Sequence, residues 1–564
     1  MAKRTYTALE AYDFMCQSDE DNEGEWDSEF EDIGSEYEPD EDSDTLTAES
    51  DDEGQGPDTS IDEPTISGLR EDTTSADSQR RGRKGNTKRR RTAVPEEFLS
   101  PVWSPASFDP PLIPPFTGKP GIAVEITDNS PIKFMELIIS DELLGLIVQQ
   151  TNVYAEQYIA EHPRCSYAEP KHWRPTTIPE MKTFLGFLLN MGITKKPNVK
   201  SYWSTKAIYH MPIYSSTMSR TRFLSIMKFL HFNDNTCRPE QGSPEYDRLY
   251  KIRPLIDFLS RKFAEVYTPD KNISLDESLV HFTGRLKIKQ YIPSKRSRYG
   301  IKLYKICESA TGYTWAFRIY EGKDSQLEPP GCPPYMGTNG KVVWDLISPF
   351  LNNGYHLYVD NYYTSIPLFK HLFSQKTLAC GTLRTNRKGL PQSLIKKRLE
   401  KGETENLRSE EMLLVKYKDK REVYVLSTLH TPAIITRSDG QQKPECIHDY
   451  NQYMGGVDRN DQMMKPYLVA RKTFYWYKKV AIYLIQLGIF NSFLLYKKKT
   501  KDTATTYLSF QEEIITSLLS VSEEEGPSTS VNAVARLRGK HYPAYIPPTS
   551  GKKYPQKKMQ ALKY

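Results

Sequence analysis

Three short acidic stretches have the residue types and spacing for metal-assisted phosphoryl chemistry. Asn272-Ile273-Ser274-Leu275-Asp276-Glu277-Ser278 reads as an apolar strand that ends on a carboxylate. His356-Leu357-Tyr358-Val359-Asp360-Asn361 repeats that grammar downstream. Gly455-Gly456-Val457-Asp458-Arg459-Asn460-Asp461 sets two aspartates three apart on a predicted helix, so they share one face. Hard divalent cations take oxygen ligands, and Mg²⁺ uses one or two carboxylates with waters and phosphate. Paired ions about 3.5–4 Å apart serve in-line displacement at phosphorus. Carboxylates on two neighbouring strands and one helix would hold such a pair. For any one aspartate a plainer reading stands beside this: a turn residue or a helix cap. The argument for catalysis is the combination.

Each acidic stretch is followed by a basic one. Lys295, Arg296, Arg298 and Lys302 interleave with Tyr291 and Tyr299 after the first. Arg384, Arg387 and Lys388 follow the second. Arg471, Lys472, Lys478 and Lys479 surround Phe474, Tyr475, Trp476 and Tyr477 after the third. Cations neutralise phosphates and aromatics stack on splayed bases, so these are candidate DNA contacts. For the last stretch the alternative is a helix with Trp476 and Tyr477 in the core and its cations in solvent.

The chain has 564 residues and a formal net charge of +4. That balance hides an asymmetry. Residues 19–63 hold 22 Asp and Glu and no Lys or Arg, which leaves +26 on the remainder. A strongly basic body implies a polyanionic partner, nucleic acid first. Arg80, Arg81, Arg83 and Lys84 with Lys88, Arg89, Arg90 and Arg91 form a bipartite cluster that reads as a nuclear-import signal or a nucleic-acid contact, import being the favoured reading and a solvated charge run the plainer alternative. The seven cysteines are scattered without a C-x-x-C pair, so neither a zinc module nor a disulfide framework is expected. No apolar run reaches the ~18 residues that span a bilayer, and no membrane partner is expected.

Residues 1–115 are expected to be disordered, acidic and then basic, closing in proline-rich linker. Residues 116–268 read as helical: Ser140-Asp141-Glu142 opens one helix, the capping box Thr177-Ile178-Pro179-Glu180 another, and 219–230 and 254–266 two more. From Asn272 the period shifts to short strands, then to strands alternating with helices, which predicts a mixed α/β sheet over 269–388. Residues 389–440 are polar, carry two strand candidates and read as an insertion. Residues 441–470 return to the acidic unit, 471–536 are helical again, and 537–564 form a basic tail.

The quoted stretches resemble the piggyBac superfamily of DNA transposases and their transposable element-derived relatives. Beyond the acidic segments, Tyr291-Ile292-Pro293-Ser294-Lys295, Tyr299-Gly300-Ile301-Lys302, Asp360-Asn361-Tyr362-Tyr363-Thr364-Ser365 and Gly381-Thr382-Leu383-Arg384-Thr385-Asn386-Arg387 follow in the family's order over about residues 115–500. The resemblance implies an RNase H-like catalytic core with a helical dimerisation and DNA-binding domain split around it. It implies that Asp276, Asp360 and Asp458 bind two Mg²⁺ ions (Mn²⁺ an alternative), with Asp461 at a fourth acidic position. It implies a homodimer acting on double-stranded DNA; the nucleus is the compartment expected from the basic cluster. The reaction implied is cut-and-paste transposition at TTAA sites through a hairpin intermediate. Arg384 and Arg387 match positions linked to target DNA, and Trp476 falls near a tryptophan of the DNA-binding part.

One departure is visible. Family transposases commonly end in a cysteine-rich zinc-binding domain, and here no cysteine follows Cys446. The resemblance therefore implies a chain without that domain and without zinc. The competing function is a catalytically idle, transposon-derived DNA-binding protein; an RNase H-type nuclease acting on RNA is the third.

Overall fold

From Asn272 to His281 the residues alternate inward and outward, and in the computed structural model they form a single ten-residue strand. The structure describes residues 94–106, 113–162, 173–240, 242–293, 298–322, 327–436, 440–469, 475–524, 543–545 and 559–561. These divide into two compact units, as far as they are described: residues 1–121, 267–462 and 474–479, and residues 122–266, 463–473 and 480–564.

The first unit is built on a ten-stranded mixed sheet. Its strands in chain order are β1 (Ser104–Pro105), β2 (Asn272–His281), β3 (Lys289–Tyr291), β4 (Tyr299–Glu308), β5 (Thr314–Ile319), β6 (His356–Val359), β7 (Leu378–Thr382), β8 (Thr404–Ser409), β9 (Met412–Lys418) and β10 (Glu422–Ser427). They lie in the order β1-β8-β9-β10-β7-β6-β2-β4-β3, with β5 on β4. The central pairs β2–β6 and β6–β7 are parallel; the flanking pairs are antiparallel. Four helices of this unit matter here: α1 (Thr338–Ile347), α2 (Ile366–Ser374), α3 (Glu445–Tyr453) and α4 (Gly456–Met464).

Strand alternation gives the sheet two apolar faces. Ile273, Leu275, Leu357, Val359 and Ala379 pack with Val343 and Ile347 of α1 and Leu368 and Phe369 of α2. Tyr358, Cys380, Leu413, Val415 and Val425 turn the other way, onto Cys446 and Ile447 of α3. Asp276, an even-numbered neighbour of Ser274 and Ser278, belongs to this second face.

Three expectations change. Asp276 does not end its strand: β2 runs on to His281 because its antiparallel partner β4 keeps supplying backbone hydrogen bonds out to His281↔Gly300. Only the parallel pairing stops early, at Leu275↔Val359. Residues 389–440 are not a separate insertion. They supply β8, β9 and β10, and β10 pairs with β7, covering an edge that would otherwise be exposed. The N-terminal tail does not run to 115 without structure. Phe98 is buried, the Trp103 indole donates to the Gly389 carbonyl at 2.9 Å, and β1 pairs with β8. Burying Phe98 and part of Trp103 offsets the cost of ordering the segment.

The second unit is helical, with helices at Pro131–Ile138, Asp141–Glu161, Ile178–Ile193, Arg220–Phe229 and Arg253–Val266, joined by most of Trp476–Thr500 and by Tyr507–Glu524. The Thr177 side chain caps the third helix by accepting from the Glu180 amide. Glu180 then pairs with Arg222 of the next helix. Trp476–Thr500 departs from the hydropathy expectation: it is long and apolar enough to cross a membrane, but 78 % of its apolar window is buried inside the protein. An all-round apolar helix of this kind is what the middle of a helical core requires. The described cysteines Cys237, Cys307, Cys332, Cys380 and Cys446 are free.

Candidate active site

Asp276 and Asp360 are brought side by side. Leu275 and Val359 are the last parallel partners of β2 and β6, and each aspartate is the next residue. Neighbouring strands are about 4.8 Å apart, so the two carboxylates share one end of the parallel ladder. Burial first, and then the charges of Asp360 and Asp276, push the Tyr450 phenol of α3 upward, against the Thr382 hydrogen bond. Asp276 Oδ1 accepts the Glu277 amide at 2.8 Å, and Asp360 Oδ1 accepts the Tyr362 amide at 2.9 Å. Burial, and then the nearby Glu277 charge, hold Asp360 above the usual carboxylate range; the Tyr362 amide and Arg384 pull the other way.

The turn after β6 is tightly specified. Thr364 Oγ1 donates to the Asp360 carbonyl at 2.9 Å. A Cβ on Gly381 of β7 would lie 2.3 Å from that hydroxyl and 2.6 Å from the Val359 carbonyl, so only glycine lets β7 approach. Arg387 donates to the Asn361 and Tyr362 carbonyls at 2.9 and 2.7 Å, and Arg384 Nε to Asn361 Oδ1 at 2.8 Å. On the opposite face, Glu277 accepts the Tyr363 hydroxyl at 2.9 Å and pairs with Lys302 at 3.6 Å.

α4 packs over β2 and β4 on the Asp276 side. A Cβ on Gly456 would lie 2.4 Å from Ser274 Oγ. Val457 and Asn460 are fully buried, whereas Asp458 is exposed. Asp461 accepts the Ser278 hydroxyl at 2.8 and 2.7 Å and the Lys305 ammonium at 2.9 Å. Asp276 and Asp360 thus meet at one end of the parallel ladder, with Asp458 exposed on the helix that packs on β2, while Asp461 is turned down onto the strands. Among the described residues no group of three or more His, Cys, Asp or Glu side chains is arranged to hold a metal ion.

The basic residues divide. Arg298, Arg384 and Lys388 are exposed; Arg387 is half-buried, with two of its bonds committed to carbonyls. Lys302 departs from the expectation of a surface cation. It is 7 % exposed, paired with Glu277, and lies 4.8 Å above the rings of Tyr304 and Tyr362. A buried ammonium needs a counter-charge, and β4 alternation turns this one inward. Trp476 is half-buried, while Tyr477 is buried at 3 % exposure. Lys295, Arg296, Arg471, Lys472 and the cluster from Arg80 to Arg91 lie outside the described residues.

Sequence reasoning missed Lys305, Glu277 and Asn460. A signal existed for Lys305: it is one of two lysines, with Lys302, inside the otherwise apolar run Ile301–Cys307, and charges in such a strand are buried and paired.

A model of the family described as Transposase IS4 matches residues 130–493. The chain belongs to that family. Within it the chain is of piggyBac type. Human PiggyBac transposable element-derived protein 3 is 27 % identical over 405 residues, covering 69 % of this chain and 64 % of its own length. Human PiggyBac transposable element-derived protein 5 is 23 % identical over 449 residues, covering 76 % of this chain and 83 % of its own. The chain spans a little under two thirds of the former relative, at 64 %. Among solved structures, a piggyBac transposase synaptic complex with hairpin DNA superposes with a TM-score of 0.63 at 28 % identity, over 75 % of this chain and 88 % of that one. The mixed sheet of this transposase-family chain is accordingly an RNase H-like core.

Proposed function

We propose that this chain is a piggyBac-type cut-and-paste DNA transposase. In that scheme water nicks the element's end, the freed 3′-hydroxyl attacks the opposite strand to give a hairpin, and the reopened end joins a TTAA target. The observation that carries the reading is the placement of Asp276 and Asp360 at one register on parallel neighbouring strands, beside the helix that bears Asp458. The donor set suits Mg²⁺ or Mn²⁺, because both strand residues are hard carboxylates and such ions use only one or two. Asp276, Asp360 and Asp458 would hold a pair of these ions, which when bound supply Lewis acidity toward phosphate and lower the pKa of the attacking hydroxyl.

The chain's own residues do the rest. Partial burial of Asp360 strengthens charge interactions there. Lys302 offsets the Glu277 charge behind Asp360. In this reading Arg298, Arg384 and Lys388, which are exposed, contact phosphate together with Lys295, Arg296, Arg471 and Lys472, and Trp476 is a stacking surface. The substrate is double-stranded DNA, the active form a homodimer, and the compartment the nucleus, reached through the Arg80–Arg91 cluster. The family match and the likeness to a piggyBac transposase in a synaptic complex with hairpin DNA support the DNA substrate.

A second reading, a transposon-derived DNA-binding nuclear protein without catalysis, is favoured by one observation: no three acidic side chains converge among the described residues. Excision of a TTAA-flanked element with matched inverted repeats from a donor plasmid separates the two. Wild type is expected to excise in Mg²⁺ and Asp276→Ala to fall to background, with DNA affinity unchanged. Equal yields from the two proteins would sink the catalytic reading.

A further inference from the structure

We infer that Asp461 and Lys305 form a clamp that docks α4 on the sheet and so places Asp458, with Asp461 serving as a positioning residue and not as a fourth metal ligand. This rests on the function proposed above, which makes Asp458 the residue worth placing.

The geometry is one-sided. Gly456, Val457, Asn460, Asp461 and Met464 recur at helical spacing and form the face of α4 turned inward. Asn460 is fully buried: its amide donates to the Gly312 carbonyl at 3.0 Å and to Thr314 Oγ1 at 3.1 Å, while its Oδ1 accepts from Lys305 at 2.9 Å. Lys305 therefore bridges two consecutive side chains of the helix, Asn460 and Asp461, at 2.9 Å each. The Lys305 side chain is 0 % exposed, and the Asp461 side chain is 35 % exposed. Arg459 adds a bond from Nη1 to the Ser309 carbonyl at 2.6 Å and another to that of Ala310. α4 is held from β2 by Ser278, from β4 by Lys305 and from the β4–β5 turn by Gly312.

Chemistry decides how Asp461 is used. A fully buried ammonium is tolerated only with a hydrogen-bonded anion beside it. Asp276 is the cross-strand neighbour of Lys305, and the Lys305 ammonium also reaches up to α4. Drawing Asp461 away to a cation would remove from that buried charge an anionic partner at 2.9 Å and place a second cation beside it. Asp458, three residues earlier, neighbours Asp461 on the helix but lies outside the docked face and is exposed. The two aspartates of α4 therefore divide the work: one anchors, the other is presented.

The test uses the full chain with Asp461→Asn, Lys305→Met, both together, and the milder Ser278→Ala. The readouts are hydrogen–deuterium exchange of residues 456–464 and Mn²⁺ binding by electron paramagnetic resonance. Asp461→Asn and Lys305→Met are each expected to speed α4 exchange by about tenfold or more, with Ser278→Ala severalfold. The double variant should exceed neither single change appreciably, because one interaction is being removed twice. Lys305→Met should weaken Mn²⁺ binding as much as Asp461→Asn does. If Asp461 were a ligand, Lys305→Met would instead free a carboxylate and tighten Mn²⁺ binding. That result, or α4 exchange unchanged in both single variants, overturns the clamp. Failure of wild type to bind Mn²⁺ would count against the proposed function, while the exchange measurement still decides the clamp.

Discussion

Arg387→Ala tests whether this side chain holds the Asp360 turn or touches DNA. Its guanidinium donates to the Asn361 and Tyr362 carbonyls at 2.9 and 2.7 Å, bracing the residues directly after Asp360. Hydrogen bonds to a charged group contribute about 1.5–3 kcal/mol each. Burial of the guanidinium offsets part of that, and its Nε is buried without a hydrogen-bond partner. The net loss on truncation is therefore about 2–3 kcal/mol, below the sum of two such bonds. For a unit of about 200 residues that corresponds to a fall of roughly 4–12 °C in the melting temperature of the sheet unit. Arg384 is the control, since it is exposed and makes one bond to Asn361 Oδ1 at 2.8 Å. Arg384→Ala should change stability by less than about 0.5 kcal/mol. On a TTAA-containing duplex it should reduce the slope of log affinity against log salt by about 0.9, the value of one phosphate contact. Arg387→Ala should leave that slope unchanged. Thermal melting by circular dichroism and a salt titration of binding give both numbers. A wild-type melting temperature for Arg387→Ala, together with a slope reduced as in Arg384→Ala, would refute the bracing role.

Two further outcomes are expected. Gly456→Ala places a Cβ 2.4 Å from Ser274 Oγ and 3.0 Å from the Glu308 carbonyl, and should cost about 1–3 kcal/mol by lifting α4; because Ser274 Oγ is buried without a partner, adding Ser274→Ala should recover part of the melting temperature. His356 on β6 is held down to about 4, by burial first and then by the Lys271 and His430 charges. Its folded pKa is below its unfolded one, so only the unfolded chain takes the proton as pH falls from about 6.5 to about 4, and stability should drop by about 3 kcal/mol across that window. Urea melts at several pH values should show a flatter profile for His356→Gln.

The acidic grammar could be read directly because it is local. A strand period ending near Asp276, its repeat at Asp360 and the i, i+3 pair on a helix each occupy seven residues or fewer. The apolar content around them announces a buried mixed α/β sheet with helical flanks, while the RNase H-like class followed only from the resemblance of the quoted motifs to the family. Asp276 was still misplaced by half a strand. Its pattern is indifferent to which neighbour it pairs with, and the antiparallel partner β4 carries β2 on to His281. Residues 389–440 looked detachable because their polar spacing says nothing of a free edge on β7 waiting to be paired.

Composition and spacing, then, settled which carboxylates exist and what cations they suit, since ligand hardness belongs to the residue type. Tertiary structure alone decided their duties. Asp458 and Asp461 are equivalent three residues apart on a helix, until a lysine 156 positions earlier in the chain reaches 2.9 Å from one of them. Lys302 and Lys305 look alike in a basic strand, yet alternation sends one to Glu277 on one face and the other to α4 on the opposite face. A charge's role is set by the partner it meets when water is excluded, and those partners are chosen by strand register and helix docking.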